Sequence, residues 1–148
     1  MKNVDRRIRV LFVCSNNALY SPLAAGIAQV YGGQLIAVSS AGLVPASTIN
    51  PLALRLLADL ALEIEDRTPR PLSAFHPDDF DAVVTLGDQA IDLPPPWQEA
   101  ALVEHWVIPS LEGESAPTQR QLMDEMEEQV RNLLRKLIFG LPYTQSLE

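Results

Sequence analysis

The chain has 148 residues, of which 47% are hydrophobic and 20% charged. That is ordinary globular composition, and a chain of this length buries about 68–70% of its unfolded surface, so one domain over 1–148 is expected. Eleven basic against nineteen acidic residues give a net charge of −8, which excludes nucleic acid and anionic membrane as expected partners, and one cysteine with two histidines excludes a disulfide framework and cysteine-rich zinc sites.

The first expected element is a strand over residues 8–13, Ile-Arg-Val-Leu-Phe-Val, whose nearly continuous apolar content suits a strand covered on both faces. Ser21-Pro22 then reads as a helix start, with a capping hydroxyl and a proline at the first helical position. Leu23, Ile27 and Val30 recur at helical spacing until Gly32-Gly33. A second strand is expected over 34–39. Asn50-Pro51 repeats the cap-plus-proline signal before a helix carrying Leu52, Leu56, Leu57 and Leu60.

A third buried strand is expected over 80–86 and a fourth over 102–108, stopped by Pro109. Between them, Pro94-Pro95-Pro96 is expected to forbid regular structure. Thr118 is placed to cap a last helix that runs to about Phe139, with Leu122, Met126, Val130, Leu133 and Leu137 on one face. Asp124, Glu125, Glu127 and Glu128 are read as a solvated face that complements the helix dipole, and Gly140-Leu141-Pro142 as the stop. Strands alternating with helices imply an α/β fold, a parallel sheet with helices on both faces.

No segment reads as a secretory leader, because the basic start at Lys2, Arg6, Arg7 and Arg9 precedes only a short apolar run. Nor does any stretch approach the roughly 20 apolar residues that span a bilayer. With no disulfide to form, a reducing, cytoplasmic location is expected.

The turn between the first strand and the first helix holds Cys14, Ser15, Asn16, Asn17, Ala18, Leu19, Tyr20 and Ser21. In open parallel α/β sheets, ligands gather at the carboxyl ends of strands, where loop amides and a helix N-terminus converge on an anion. A cysteine there experiences the helix dipole and those amides, both of which favour thiolate.

The run Val10-Leu-Phe-Val-Cys-Ser-Asn-Asn-Ala-Leu-Tyr-Ser-Pro-Leu-Ala-Ala-Gly26 resembles the phosphate-binding loop of the low-molecular-weight protein tyrosine phosphatases and the related thioredoxin-coupled arsenate reductases. The resemblance continues through Ser40-Ala41-Gly42, Asn50-Pro51, the 81–88 segment and His105-Trp106 with Pro109, and its details look nearer to the arsenate reductase branch. It implies a three-layer, doubly wound fold, phosphotyrosine protein phosphatase I-like, with a four-stranded parallel sheet in the order 2-1-3-4 flanked by helices. It also implies hydrolase or reductase chemistry on phosphate, arsenate or a phosphorylated ligand, with no cofactor and no metal. Carried over position by position, Cys14 falls on the nucleophile, Ser21 on the hydroxyl that bonds the thiolate, and Asn17 on the asparagine that shapes the loop. The resemblance makes residues 15–20 the expected oxyanion-binding loop.

Three departures strike at that chemistry. The family's loop arginine falls on Tyr20 and its loop glycine on Asn16, and the general-acid aspartate falls on Ile108, which has no proton to give. A tyrosine offers one neutral donor where arginine offers a charged fork, so catalysis is expected to be impaired; Glu104 or Glu112 would have to substitute for the acid, and neither is expected to serve. Leu86, Gly87 and Leu93 stand where arsenate reductases carry further cysteines, so this chain cannot run an internal disulfide relay. The alternative reading is a noncatalytic oxyanion- or protein-binding regulatory domain. His76, in a Pro-rich turn, and His105, in a strand, read as surface or structural groups, and Asp78, Asp79 and Asp81 as a solvated turn. Trp97 is left open between an exposed contact and a core cover.

Overall fold

The computed structural model describes residues 7–62, 68–100 and 102–140; Lys2, Arg6 and the Leu141-Pro142 stop lie outside them. Along the chain run β1 (Ile8–Cys14), α1 (Tyr20–Gly32), β2 (Ile36–Gly42), α2 (Pro51–Asp59), β3 (Ala82–Gly87), α3 (Pro95–Gln98), β4 (Val103–Val107) and α4 (Ala116–Phe139). The strands form one four-stranded sheet in the order β2-β1-β3-β4, and every pairing is parallel. This is the order that the resemblance implies.

β1 and β3 lie in the middle, which is why their residues are apolar at successive positions rather than at alternate ones. Their alternating side chains feed two cores. Val10, Phe12, Val84 and Leu86 pack with Trp106 against α1, α2 and α4, whereas Leu11, Val13 and Val83 pack against Leu72, Leu93 and Trp97. The second face is covered by α3 and by the 3₁₀ turn at Leu72–Ala74, with Phe75 and Phe80 packed beside them. Trp97 is buried there, tilted 6.1 Å from the Phe80 ring, which resolves it as a core cover.

The proline triplet builds α3 instead of preventing it. Pro95 and Pro96 fill the first turn, where a missing N–H costs nothing, and the fixed φ of proline suits helix entry. The cap of α4 is Ser115, whose Oγ accepts the Thr118 N–H at 3.3 Å, so Thr118 lies inside the first turn rather than capping it. Since α4 therefore starts at Ala116, the acidic run from Asp124 sits beyond the turn that feels the dipole; it is a solvated face only, with Glu127 accepting from the Tyr31 hydroxyl at 2.9 Å. At its other end, Gly140 adopts φ 67° and returns its N–H to Lys136 O at 2.9 Å.

α2 follows its sequence signal: Asn50 Oδ1 accepts the Leu52 N–H at 2.9 Å and Pro51 opens the helix. β2 starts at Ile36, because Gly33–Leu35 forms a 3₁₀ turn, and runs on to Gly42, beyond the expected end. That extension places Gly42 opposite Cys14 in the ladder.

Candidate functional site

Four loop carbonyls are taken up by the segment after β2. Cys14 O accepts from Leu43 N–H at 3.2 Å, Ser15 O from Val44 at 2.8 Å, Asn16 O from Ala46 at 2.9 Å and Ala18 O from Asn50 at 2.9 Å. With the carbonyls turned outward, the Ala18 and Ser21 N–H groups turn inward, to Asn16 Oδ1 at 3.1 Å and Cys14 Sγ at 3.4 Å. Gly42 makes this possible. A Cβ there would stand 2.7 Å from Asn16 C and from Asn17 N, so only glycine lets β2 end directly beneath the turn.

Asn17 occupies the left-handed region at φ 54°, a conformation that asparagine tolerates better than most residues. Its carboxamide is fully used. Nδ2 donates to Ser21 Oγ at 2.8 Å and Ser40 Oγ at 2.9 Å, and Oδ1 accepts the Arg70 N–H at 2.8 Å. Asn17 is 2% exposed, Ser21 0% and Cys14 1%, so this floor is part of the interior. Ser21 does not cap α1, as its sequence position suggested; Leu19 is the N-cap residue and offers no side-chain bond. Its Oγ is drawn inward instead, 3.0 Å from Cys14 Sγ and 3.4 Å from Ala41 O. Because that oxygen already accepts from Asn17, its own hydrogen can turn to the sulfur.

The rim is built otherwise. The Tyr20 hydroxyl accepts the Leu111 N–H at 3.3 Å. Burial pushes its phenol above the ordinary value, only partly offset by hydrogen bonds from Leu111 and Ser110, and the charges of Asp88 and Glu112 push the same way. Tyr20 is therefore neutral, and its position supplies no cation. Ile108 is 4% exposed, in the core with Trp106 and Leu111. Of the two substitute acids, Glu104 is committed elsewhere, accepting from Trp106 Nε1 at 2.9 Å and from Lys136 at 2.7 Å. Glu112 accepts from Asn50 Nδ2 at 3.2 Å, and the Asn50 N–H in turn reaches Ala18 O.

Asn50 is the residue that sequence reasoning undervalued. Besides capping α2, it donates its N–H to Ala18 O and its carboxamide to Glu112, so it ties the turn after β1 to the segment after β4. Ser40 was visible only as part of a pattern, and its bond to Asn17 spans 23 positions.

The remaining candidates stay apart from the turn. His105 Nδ1 lies 2.6 Å from Thr85 Oγ1 across the β3–β4 pair; His76 Nδ1 accepts the Asp78 N–H at 3.3 Å in an exposed turn, and Asp81 accepts the Arg9 N–H at 2.8 Å. Among the described residues, no group of three or more His, Cys, Asp or Glu side chains could hold a metal ion, and no helix is long and apolar enough to cross a membrane. Leu86 and Leu93 are buried core residues.

Residues 9–139 match the family model described as low molecular weight phosphotyrosine protein phosphatase. The glutaredoxin arsenate reductase of Synechocystis sp. is 33% identical over 129 residues, covering 87% of this chain and 98% of that protein. An arsenate reductase solved in its phosphate-binding state superposes with a TM-score of 0.80 at 32% identity, over 87% of this chain and 98% of the other. The arsenate reductase of Archaeoglobus fulgidus DSM 4304 gives 0.71 at 30% identity, over 84% and 98%. With matches to both the sequence model and these structures, the chain belongs to the low molecular weight phosphotyrosine protein phosphatase family.

Proposed function

We propose that residues 14–21 bind a tetrahedral oxyanion, phosphate or arsenate, above Cys14, and that turnover at this site is strongly impaired. One observation carries this reading: Cys14 Sγ is held at 3.0 Å from Ser21 Oγ beneath inward-facing amides, while Tyr20, the rim residue in the arginine position, bonds to Leu111 instead. The floor has what a nucleophile needs, a fixed position with donors around it. The rim has lost what the transition state needs.

In attack on a phosphate ester, an S–P bond forms as the P–O bond breaks, and the leaving oxygen must gain a proton. Ile108 cannot supply it, a loss worth roughly 10²–10⁴ in rate. Absence of a charged donor costs about 3 kcal/mol more, or roughly 10²–10³. Arsenate reduction would also need an outside thiol, because Cys14 is the chain's only cysteine. A cytoplasmic location, which keeps that thiol reduced, fits this reading.

The second reading, a noncatalytic oxyanion- or protein-binding regulatory domain, is favoured by the Tyr20–Leu111 bond, which turns the rim into packing. The two are separated by turnover. Aryl phosphate hydrolysis and thiol-dependent arsenate reduction are measured for wild type and Cys14→Ser, with phosphate and arsenate titrations followed by NMR shifts of residues 15–21. The first reading expects slow turnover that Cys14→Ser abolishes. Oxyanion binding with equal background rates in both proteins selects the noncatalytic reading, and absence of binding removes the oxyanion site altogether.

A further inference from the structure

Asn16 stands at the position where the resemblance sets a glycine, and its carboxamide turns inward. Oδ1 accepts the Ala18 N–H at 3.1 Å and lies 3.8 Å from Cys14 Sγ. The N–H it faces identifies that atom as the oxygen rather than the nitrogen of the amide. A ligand over the sulfur must do the same two things: offer acceptor oxygens to the inward amides, and bring a reacting atom to about 3–3.5 Å from the nucleophile. Asn16 Oδ1 already occupies that acceptor seat.

The side chain is free to leave it. Asn16 is exposed, and among the described residues its carboxamide makes only these two contacts. Its backbone is held separately, by the Ala46 N–H on its carbonyl at 2.9 Å and by Gly42 beneath it. Rotation about χ1 therefore opens the turn without rebuilding it. Asn17 differs: its carboxamide is committed to three partners.

We infer that Asn16 gates the site: its carboxamide oxygen fills the oxyanion seat beside Cys14 and must swing out before phosphate or arsenate can enter. The inference rests on the oxyanion-binding reading above. While the gate is closed, an inward acceptor oxygen repels a fully ionised oxyanion, and the measured affinity falls by the fraction of time the turn is open.

The test uses the full chain with Asn16→Ala, Asn16→Asp and Asn16→Gly, the last guarding against a fold effect of Ala. Two readouts are taken: alkylation of Cys14 by neutral iodoacetamide followed across pH, so that the limiting rate of the thiolate reports gate opening separately from ionisation, and titration with inorganic phosphate. Asn16→Ala and Asn16→Gly are expected to alkylate roughly 3- to 10-fold faster and to bind phosphate more tightly by a similar factor, the range set by one internal hydrogen bond. Asn16→Asp, which keeps the acceptor and adds charge, should alkylate no faster than wild type and bind phosphate more weakly. Equal phosphate affinity across wild type, Ala and Gly would overturn the gate and leave the oxyanion site standing. If no variant bound phosphate, both would fall. Unchanged alkylation in Ala and Gly would also overturn the gate.

Discussion

Asn17 and Tyr20 sit on the same turn, three residues apart, yet one belongs to a floor and the other to a rim, and the two regions have been treated differently. The floor residues Cys14, Asn17, Ser21, Ser40 and Gly42 are joined by hydrogen bonds and by a backbone approach that admits no Cβ. Changing any of them is expected to disturb folding as well as the proposed site. The rim residues Tyr20, Ile108 and Leu111 meet through one hydrogen bond and apolar packing. Neutral groups there fasten the segment after β4 to the turn. The floor thus takes part in holding the fold, whereas the rim positions carry neutral side chains that pack.

Substitutions can break this division, and the largest effect is expected from restoring the rim. Tyr20→Arg with Ile108→Asp places a carboxylate in a position that is 4% exposed, and an unpaired buried charge destabilises by about 3–5 kcal/mol. Urea unfolding of the single and double changes should show Ile108→Asp carrying most of that loss. Any phosphatase activity gained by the folded double variant would show that the floor is still competent.

Next comes the floor itself. Asn17→Ala leaves Ser21, Ser40 and the Arg70 N–H short of a partner, and it puts alanine at φ 54°. A loss of about 2–4 kcal/mol is expected, read as a lower urea midpoint at unchanged slope. Stability within about 0.5 kcal/mol of wild type would erase the distinction between floor and rim.

A smaller effect belongs to Tyr20→Phe, which removes the acceptor for the buried Leu111 N–H and should cost about 0.5–1.5 kcal/mol. The smallest is a pH effect of the same hydroxyl. Its folded pKa lies above the unfolded value of 10.0, so the stability this group contributes is fully present below pH 10 and is lost as pH rises through the folded pKa. The ultraviolet difference between wild type and Tyr20→Phe should place that phenol's ionisation above pH 10.

Legibility in the sequence followed the range of the interaction. Asn50-Pro51 was read correctly because the cap, the proline and the helix they start are neighbours. The same local logic misplaced Ser21 and Thr118, since their hydroxyls answer to Cys14 and Ser115 rather than to the position a capping rule assigns. The proline triplet looks like a breaker only if proline is one everywhere; its effect depends on which turn it occupies. That Tyr20 supplies no cation was legible from residue type alone; that it fastens the Leu111 segment was not, because the bond spans 91 positions. The inward Asn16 oxygen was equally hidden, as a side-chain direction carries no signature in composition or spacing.

The pairing of Cys14 with Gly42 across the β1–β2 ladder makes the turn a check on strand registration. If β2 slipped by one residue in either direction, Ala41 or Leu43 would arrive beneath Asn16 and Asn17, with a side chain where even a single Cβ is too close. The turn can close only over a correctly aligned sheet. Formation of the Asn17 bonds would therefore report, at one end of the molecule, that parallel strands distant in sequence have found their proper partners.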